Sequence, residues 1–138
     1  MKLSDFDFRI WDEDNEEFYK NPSIFKIKQI KGPHNVVLSS YSDNERINFE
    51  GYDRKFEVEL FTGLYDKNGK KVYENDIVKV KSLYDYFLAK ISIHKEGTFY
   101  FEGKNGDYIG SLIYLVEDEG YTIETIGNIH ENPELLKC

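Results

Sequence analysis

Three histidines, His34, His94 and His130, are the side chains best suited by type to move a proton or ligate a metal. Their spacing argues against both. None stands in the HExxH pattern that places two imidazoles on one helix face. A zinc site would need all three to converge from distant parts of the chain. The sequence therefore predicts strand or loop histidines held by structural hydrogen bonds. The acidic run Asp12 to Glu17 offers Asp12, Asp14 and Glu16 at alternate positions, as a calcium loop does. An EF-hand loop also needs Gly at its sixth position and Glu at its twelfth, and those positions hold Glu17 and Ser23. A solvated turn is expected there instead. Gly103, Gly106 and Gly110 match neither GxGxxG nor GxxxxGK[ST], and Gly110-Ser111 lacks the second glycine of a nucleophile elbow. The one cysteine is Cys138, at the end of the chain, so no disulfide framework and no cysteine-based zinc site can form. The expectation is a protein without catalytic residues, cofactor-binding residues or metal ligands, and not an enzyme.

Binding chemistry is the remaining class. Lys26 and Lys28 alternate with Phe25 and Ile27, and Lys31 extends the run into a short basic strip. The aromatics Tyr84, Tyr86, Phe87, Phe99, Tyr100 and Phe101 could stack bases of a single strand. Phe99 and Phe101 share a strand face, however, and are more simply core. The nearby Lys81, Lys90, Lys95 and Lys104 are balanced by Asp85, Glu96, Glu102 and Asp107. The formal net charge is −8, which repels a phosphate backbone at long range. Nucleic acid is therefore a disfavoured partner. The same charge keeps a small domain soluble, and it also admits an acidic surface that mimics DNA.

The elements that must carry these residues are strands. The chain has a single alanine, Ala89, and aromatic residues make up 16% of it. Phe6, Phe8 and Ile10 alternate with Asp7, Arg9 and Trp11, a half-buried strand. Further strands are predicted in IFKIKQI, HNVVLSSY, the stretch with Phe56, Val58 and Leu60, IVKVK, YFLAKISIH, TFYFE and around Tyr121 to Thr125. Asn68-Gly69 supplies the positive φ angles of a tight hairpin between FTGLY and KKVY. Asn132-Pro133 reads as the start of one helical turn. Residues 108–116 fit a short helix or a buried strand equally. The fold class is all-β, mainly antiparallel: a small barrel or pseudo-barrel with one or two short helices. Hydrophobic residues make up 40% of the chain, enough for a core. The organisation is a single domain, 1–138, with a weak division near residue 60 into an N-terminal subdomain 1–60 and a C-terminal β subdomain 61–138. No apolar run is long enough to span a membrane as a helix, and the start has no signal-peptide pattern. These features predict a cytoplasmic protein.

Three segments, taken together and in order, resemble the YopX-like family of phage and prophage proteins: FRIWDEDNEEFY at 8–19, TGLYDKNGKKVYENDIVKV at 62–80 and IETIGNIHENPELL at 123–136. Two positions depart from the family pattern. Asn75 stands where the family has Gly before Asp-Ile-Val, and Glu59-Leu60-Phe61 stands near the family's usual Gln. Asn tolerates the left-handed conformation, so the turn is expected to survive. The resemblance implies a β-rich fold and a gene carried by a temperate phage or prophage, and it brings no catalytic residues. Its motif residues Trp11, Gly63, Gly69, Asp76 and Gly127 each have a structural explanation: turns for the glycines, a turn-closing hydrogen bond for Asp76, and packing with a polar handle for Trp11. With no catalytic constellation, the expected role is a non-catalytic phage or prophage accessory protein. It would bind a macromolecular partner, a host or phage protein, in the bacterial cytoplasm. The alternatives are a small β-barrel that binds nucleic acid and an acidic, DNA-mimicking inhibitor. Exposed strand edges also admit a homo-oligomer.

Overall fold

The computed structural model describes residues 2, 5–19, 24–29, 36–42, 45–50 and 56–137. Its strands are β1 (Phe8–Asp12), β2 (Glu17–Phe18), β3 (Ile24–Gln29), β4 (Val36–Ser42), β5 (Glu45–Glu50), β6 (Phe56–Tyr65), β7 (Lys71–Tyr73), β8 (Asp76–Lys81), β9 (Tyr86–Ile93), β10 (Phe99–Glu102), β11 (Tyr108–Ser111) and β12 (Thr122–Asn128). The helical segments include a π-type turn at Tyr114–Asp118, entered through Leu112 and Ile113, and a 3-10 turn at Pro133–Leu136. The fold is all-β and antiparallel, in agreement with the composition. Two compact units make it up: Met1–Phe8 with Glu59–Cys138, and Arg9–Val58.

The unit Arg9–Val58 contains a three-stranded sheet ordered β3-β4-β5, with Lys26 opposite Ser39 and Leu38 opposite Phe49. The side chains of Lys26 and Lys28, and all of Lys31 and His34, lie outside the described residues, so the basic strip is not placed. In the β1–β2 hairpin Trp11 pairs with Phe18, and their rings meet edge to face at 5.0 Å. The predicted alternation breaks at the end of β1: Ile10, Trp11 and Asp12 are all buried. The acidic run is the expected turn. Asp12 Oδ1 accepts from the N–H groups of Asp14 (3.0 Å) and Asn15 (3.2 Å), and Oδ2 accepts from the Asn15 side chain at 2.7 Å. An aspartate that closes its own turn in this way is spent on structure.

The other unit carries a five-stranded sheet ordered β11-β10-β9-β8-β12. It curls into a half-barrel whose two edges, β11 and β12, do not pair with each other. Period-two alternation explains it. Val78, Val80, Ala89, Ile91, Phe101 and Ile123 turn inward and are buried, with Phe87 and Phe99 packed against them. Lys79, Lys81, Tyr86, Lys90, Tyr100 and Glu102 alternate with these residues along the same strands and line the opposite face. The ambiguous stretch 108–116 is divided: an edge strand, β11, up to Ser111, none of whose residues is buried, and then a helical turn that buries Leu112 against the core.

Four local geometries differ from the sequence reading. At the β6–β7 hairpin only Gly69 takes a positive φ, of 81°. Gly69 N–H donates to Asp66 O at 3.0 Å, so the turn is a type I turn closed by a left-handed glycine rather than an Asn-Gly pair with both φ positive. Gly63 (φ 88°) serves no turn. It sits inside β6 where the pairing with β7 shifts register. Gly127 likewise stands at a register shift in β12, where a Cβ would lie 2.5 Å from Asn132 Oδ1. Finally, Ser92, expected on the polar face of β9, is itself buried.

Candidate binding face

One polar node centred on a buried carboxylate joins residues far apart in the chain. Glu59 in β6 is 1% exposed. Its Oε2 accepts from Asn75 Nδ2 at 2.6 Å and lies 2.8 Å from His130 Nε2. Asn75 sits in the turn between β7 and β8 with φ 69°, the left-handed conformation that asparagine tolerates. Its N–H donates to Ile91 O at 2.8 Å and its C=O accepts from Ile129 N–H at 3.0 Å, so the turn is tied to two further segments. His130 is oriented from behind, because Asn128 Oδ1 accepts the N–H of His130 (3.0 Å) and of Glu131 (2.9 Å). A carboxylate–imidazole pair can relay a proton. Here Glu59 Oε2 and His130 Nε2 face each other in a part-buried pair. His94 is elsewhere, stacked on Tyr100 with ring centroids 4.0 Å apart.

Two more aspartates act as clamps. Asp7 Oδ2 accepts from Tyr73 Oη at 2.6 Å and Lys71 Nζ at 2.9 Å. Burial pushes the Asp7 carboxyl up, but the bonds from Tyr73, Lys71 and the Phe8 N–H, with the Lys71 charge, hold it below the ordinary aspartate value. The Asp7 bond in turn raises Lys71. Asp66 is buried, and its Oδ1 accepts from Asn68 and Lys70 N–H, each at 2.9 Å. Its Oδ2 reaches across to accept from Thr125 N–H at 3.0 Å. Burial raises this carboxyl too. The three N–H donors, helped by the Lys70 charge, outweigh burial and lower it.

The solvent face of the five-stranded sheet carries aromatic and charged side chains. Near β10 and β11, His94, Tyr100 and Tyr108 form an aromatic cluster, and Lys90 pairs with Glu102 at 2.9 Å. The proposed aromatic platform is thus divided. Phe87, Phe99 and Phe101 belong to the core, whereas Tyr84 and Tyr86 are exposed on the β8–β9 hairpin. The tip of that hairpin presents Leu83 at 84% exposure and Tyr84 at 93%. It is braced by Ser82 N–H donating to Asp85 O (2.8 Å) and Asp85 N–H donating to Ser82 Oγ (3.3 Å). On the β8–β12 side, Lys67, Lys79, Lys81, Thr122, Ile123 and Glu124 line a recess of about 110 Å³. Lys67 enters from the β6–β7 turn because its N–H donates to Ile123 O at 2.9 Å. No periodicity could have placed it there.

The YopX family model matches residues 7–137. The chain belongs to the YopX family. Among solved structures, this YopX-family chain resembles protein EF1440 from Enterococcus faecalis, at 26% identity and a TM-score of 0.56, over 96% of this chain and 98% of the other. It also resembles protein yopX from Bacillus subtilis, at 21% identity and a TM-score of 0.63, over 94% and 97%. No curated protein matches it.

The motif residues behind the YopX resemblance have local structural contacts in this chain. Trp11 is buried in its hairpin. Asp76 Oδ2 accepts from Tyr73 N–H at 2.9 Å and closes the turn that Asn75 makes possible. Gly69 ends the β6–β7 turn, and Gly63 and Gly127 each stand at a register shift. Among the described residues, no helix is long and apolar enough to cross a membrane.

Proposed function

We propose that this YopX-family protein is a non-catalytic accessory protein, encoded by a phage or prophage, that binds a host or phage protein in the bacterial cytoplasm. The hairpin tip Leu83-Tyr84 is the centre of its contact surface. The observation that carries this reading is the exposure of two large side chains, Leu83 at 84% and Tyr84 at 93%, on a turn braced at both ends by Ser82 and Asp85. Covering a leucine is worth about 1.5–3 kcal/mol, and tyrosine is enriched at the energetic centres of interfaces. A braced turn loses little freedom when it docks. The acidic-mimic alternative is less favoured, because Asp12, Asp66, Asp76 and Glu59 are buried and spend their carboxylates on internal hydrogen bonds.

The test is an affinity capture with tagged wild type and the Leu83→Ala/Tyr84→Ala variant, with and without nuclease. Both side chains are exposed, so the variant keeps its fold, which circular dichroism verifies. A protein retained by wild type through nuclease treatment and lost by the variant supports the proposal. The same proteins captured by both forms, or capture abolished by nuclease, overturns it.

A further inference from the structure

We propose that the recess between β8, β12 and the β6–β7 turn is a phosphate-binding site, formed by the ammonium groups of Lys67, Lys79 and Lys81 and the hydroxyl of Thr122. It is independent of the hairpin-tip contact. The register builds it. In the β8–β12 ladder Lys79 lies opposite Glu124 and Lys81 opposite Thr122, so all four project from one face. Lys67 is brought to the same recess by its backbone bond to Ile123.

The charge arrangement suits an anion. Three lysines converge in a chain whose net charge is −8, and one carboxylate answers them: Glu124, which pairs with Lys67 at 3.1 Å. Among the described residues, neither Lys79 nor Lys81 has a carboxylate partner. Lys79 Nζ instead lies 4.3 Å from the centre of the Tyr86 ring. Like charges gathered on adjoining positions oppose one another, and a bound oxyanion reverses that sign. Size narrows the ligand. The recess of about 110 Å³ is well below the roughly 300 Å³ at which pockets enclose a whole small molecule. One tetrahedral group enters, and the rest of its carrier lies on the sheet face, where Tyr86 is 58% exposed. A phosphate monoester or diester fits this description, from a free phosphorylated small molecule or from a single-stranded nucleic-acid backbone.

The experiment uses the full chain and three probes: pyrophosphate followed by phosphorus NMR, a labelled oligothymidylate followed by fluorescence anisotropy, and a labelled polyglutamate as an acidic-peptide control. The variants are Lys79→Gln/Lys81→Gln, which removes the two cations lacking a carboxylate partner, and Glu124→Gln, which removes the competing carboxylate. All three positions project from the solvent face of the sheet. Expected is binding of a phosphate probe that the lysine variant weakens at least tenfold and Glu124→Gln strengthens. Binding of pyrophosphate assigns a small phosphorylated ligand. Binding of oligothymidylate alone assigns a polynucleotide backbone, with a log–log salt slope near −2 for three contacts, falling to about −0.7 in the lysine variant. No binding of either phosphate probe at low salt overturns the proposal. So does phosphate binding indifferent to both variants, or tighter binding of polyglutamate than of either phosphate probe.

Discussion

Replacing Asp66 should weaken the fold in a way that separates its two oxygens. Oδ1 serves the Asn68 and Lys70 N–H groups in an exposed turn, which water can satisfy when the side chain is removed. Oδ2 serves Thr125 N–H in β12, 59 residues away. Losing a hydrogen bond to a charged acceptor there costs about 1.5–3 kcal/mol, against about 0.5–1.5 kcal/mol for each turn bond. Asn keeps one carbonyl oxygen and turns an N–H₂ towards the other donor. Asp66→Asn should therefore cost about 2 kcal/mol, and Asp66→Ala about 3–4 kcal/mol. In urea, with a slope of about 2 kcal/mol per molar, the Asn variant loses about 1 M in midpoint. Amide exchange at Thr125 should accelerate in both variants while Val78 and Ile91 stay protected. The pH dependence has a definite sign. The folded carboxyl lies below its ordinary value, because three N–H donors and the Lys70 charge outweigh the opposing effect of burial. Its contribution is complete above the unfolded aspartate value of about 3.9 and is lost as pH falls through the lower folded value. The gap between wild type and Asp66→Asn is thus full at neutral pH and closes in acid. A variant within about 0.5 kcal/mol of wild type at pH 7, with Thr125 protection intact, would refute the clamp.

The left-handed turn at Asn75 gives a second test: Asn75→Ala should be less stable than Asn75→Gly by about 1 kcal/mol in urea melts, because alanine pays for the positive φ. Both variants should fall below wild type, since both lose the bond to Glu59. Gly127→Ala places a Cβ 2.5 Å from Asn132 Oδ1, so it should destabilise the C-terminal segment. Adding Asn132→Gly removes the obstructing oxygen, Cγ and Cβ, and a double-mutant cycle should return a favourable coupling; strict additivity would contradict the close approach. Lys71→Met removes one donor and the neighbouring positive charge from Asp7, and NMR titration should find the Asp7 carboxyl moved up towards its ordinary value.

Much of this fold is legible as alternation. Val78 and Val80 against Lys79 and Lys81 fixes the two faces of β8, and Phe99 and Phe101 against Tyr100 fixes those of β10. The Asn75 turn was legible too, because asparagine at a family glycine position still permits a positive φ. The register shifts at Gly63 and Gly127 were not. A glycine that relaxes a strand and one that makes a turn look alike in sequence, and only the partner strand's register tells them apart. For 108–116 the conflict was real: the strand and the helical turn share the apolar run, and the change falls inside it.

The long-range pairings were hidden for a different reason. Glu59 and His130 are 71 positions apart, and Asp66 and Thr125 are 59 apart. Neither pairing leaves a trace in local spacing. Lys67 looks like one more polar residue of a tight turn. The same turn is pinned to β12 by Asp66 on one side and by the Lys67 N–H on the other, so the clamp that stabilises the hairpin also carries the third ammonium to Lys79 and Lys81. Stability and binding are thereby coupled through one carboxylate. Asp66→Asn, which leaves every lysine in place, should loosen Lys67 and reduce phosphate affinity without changing the charge of the recess. The salt slope for oligothymidylate should fall by less than one contact, about 0.7, while affinity drops. A variant with weakened Thr125 protection and unchanged phosphate affinity would show that Lys67 takes no part in the site.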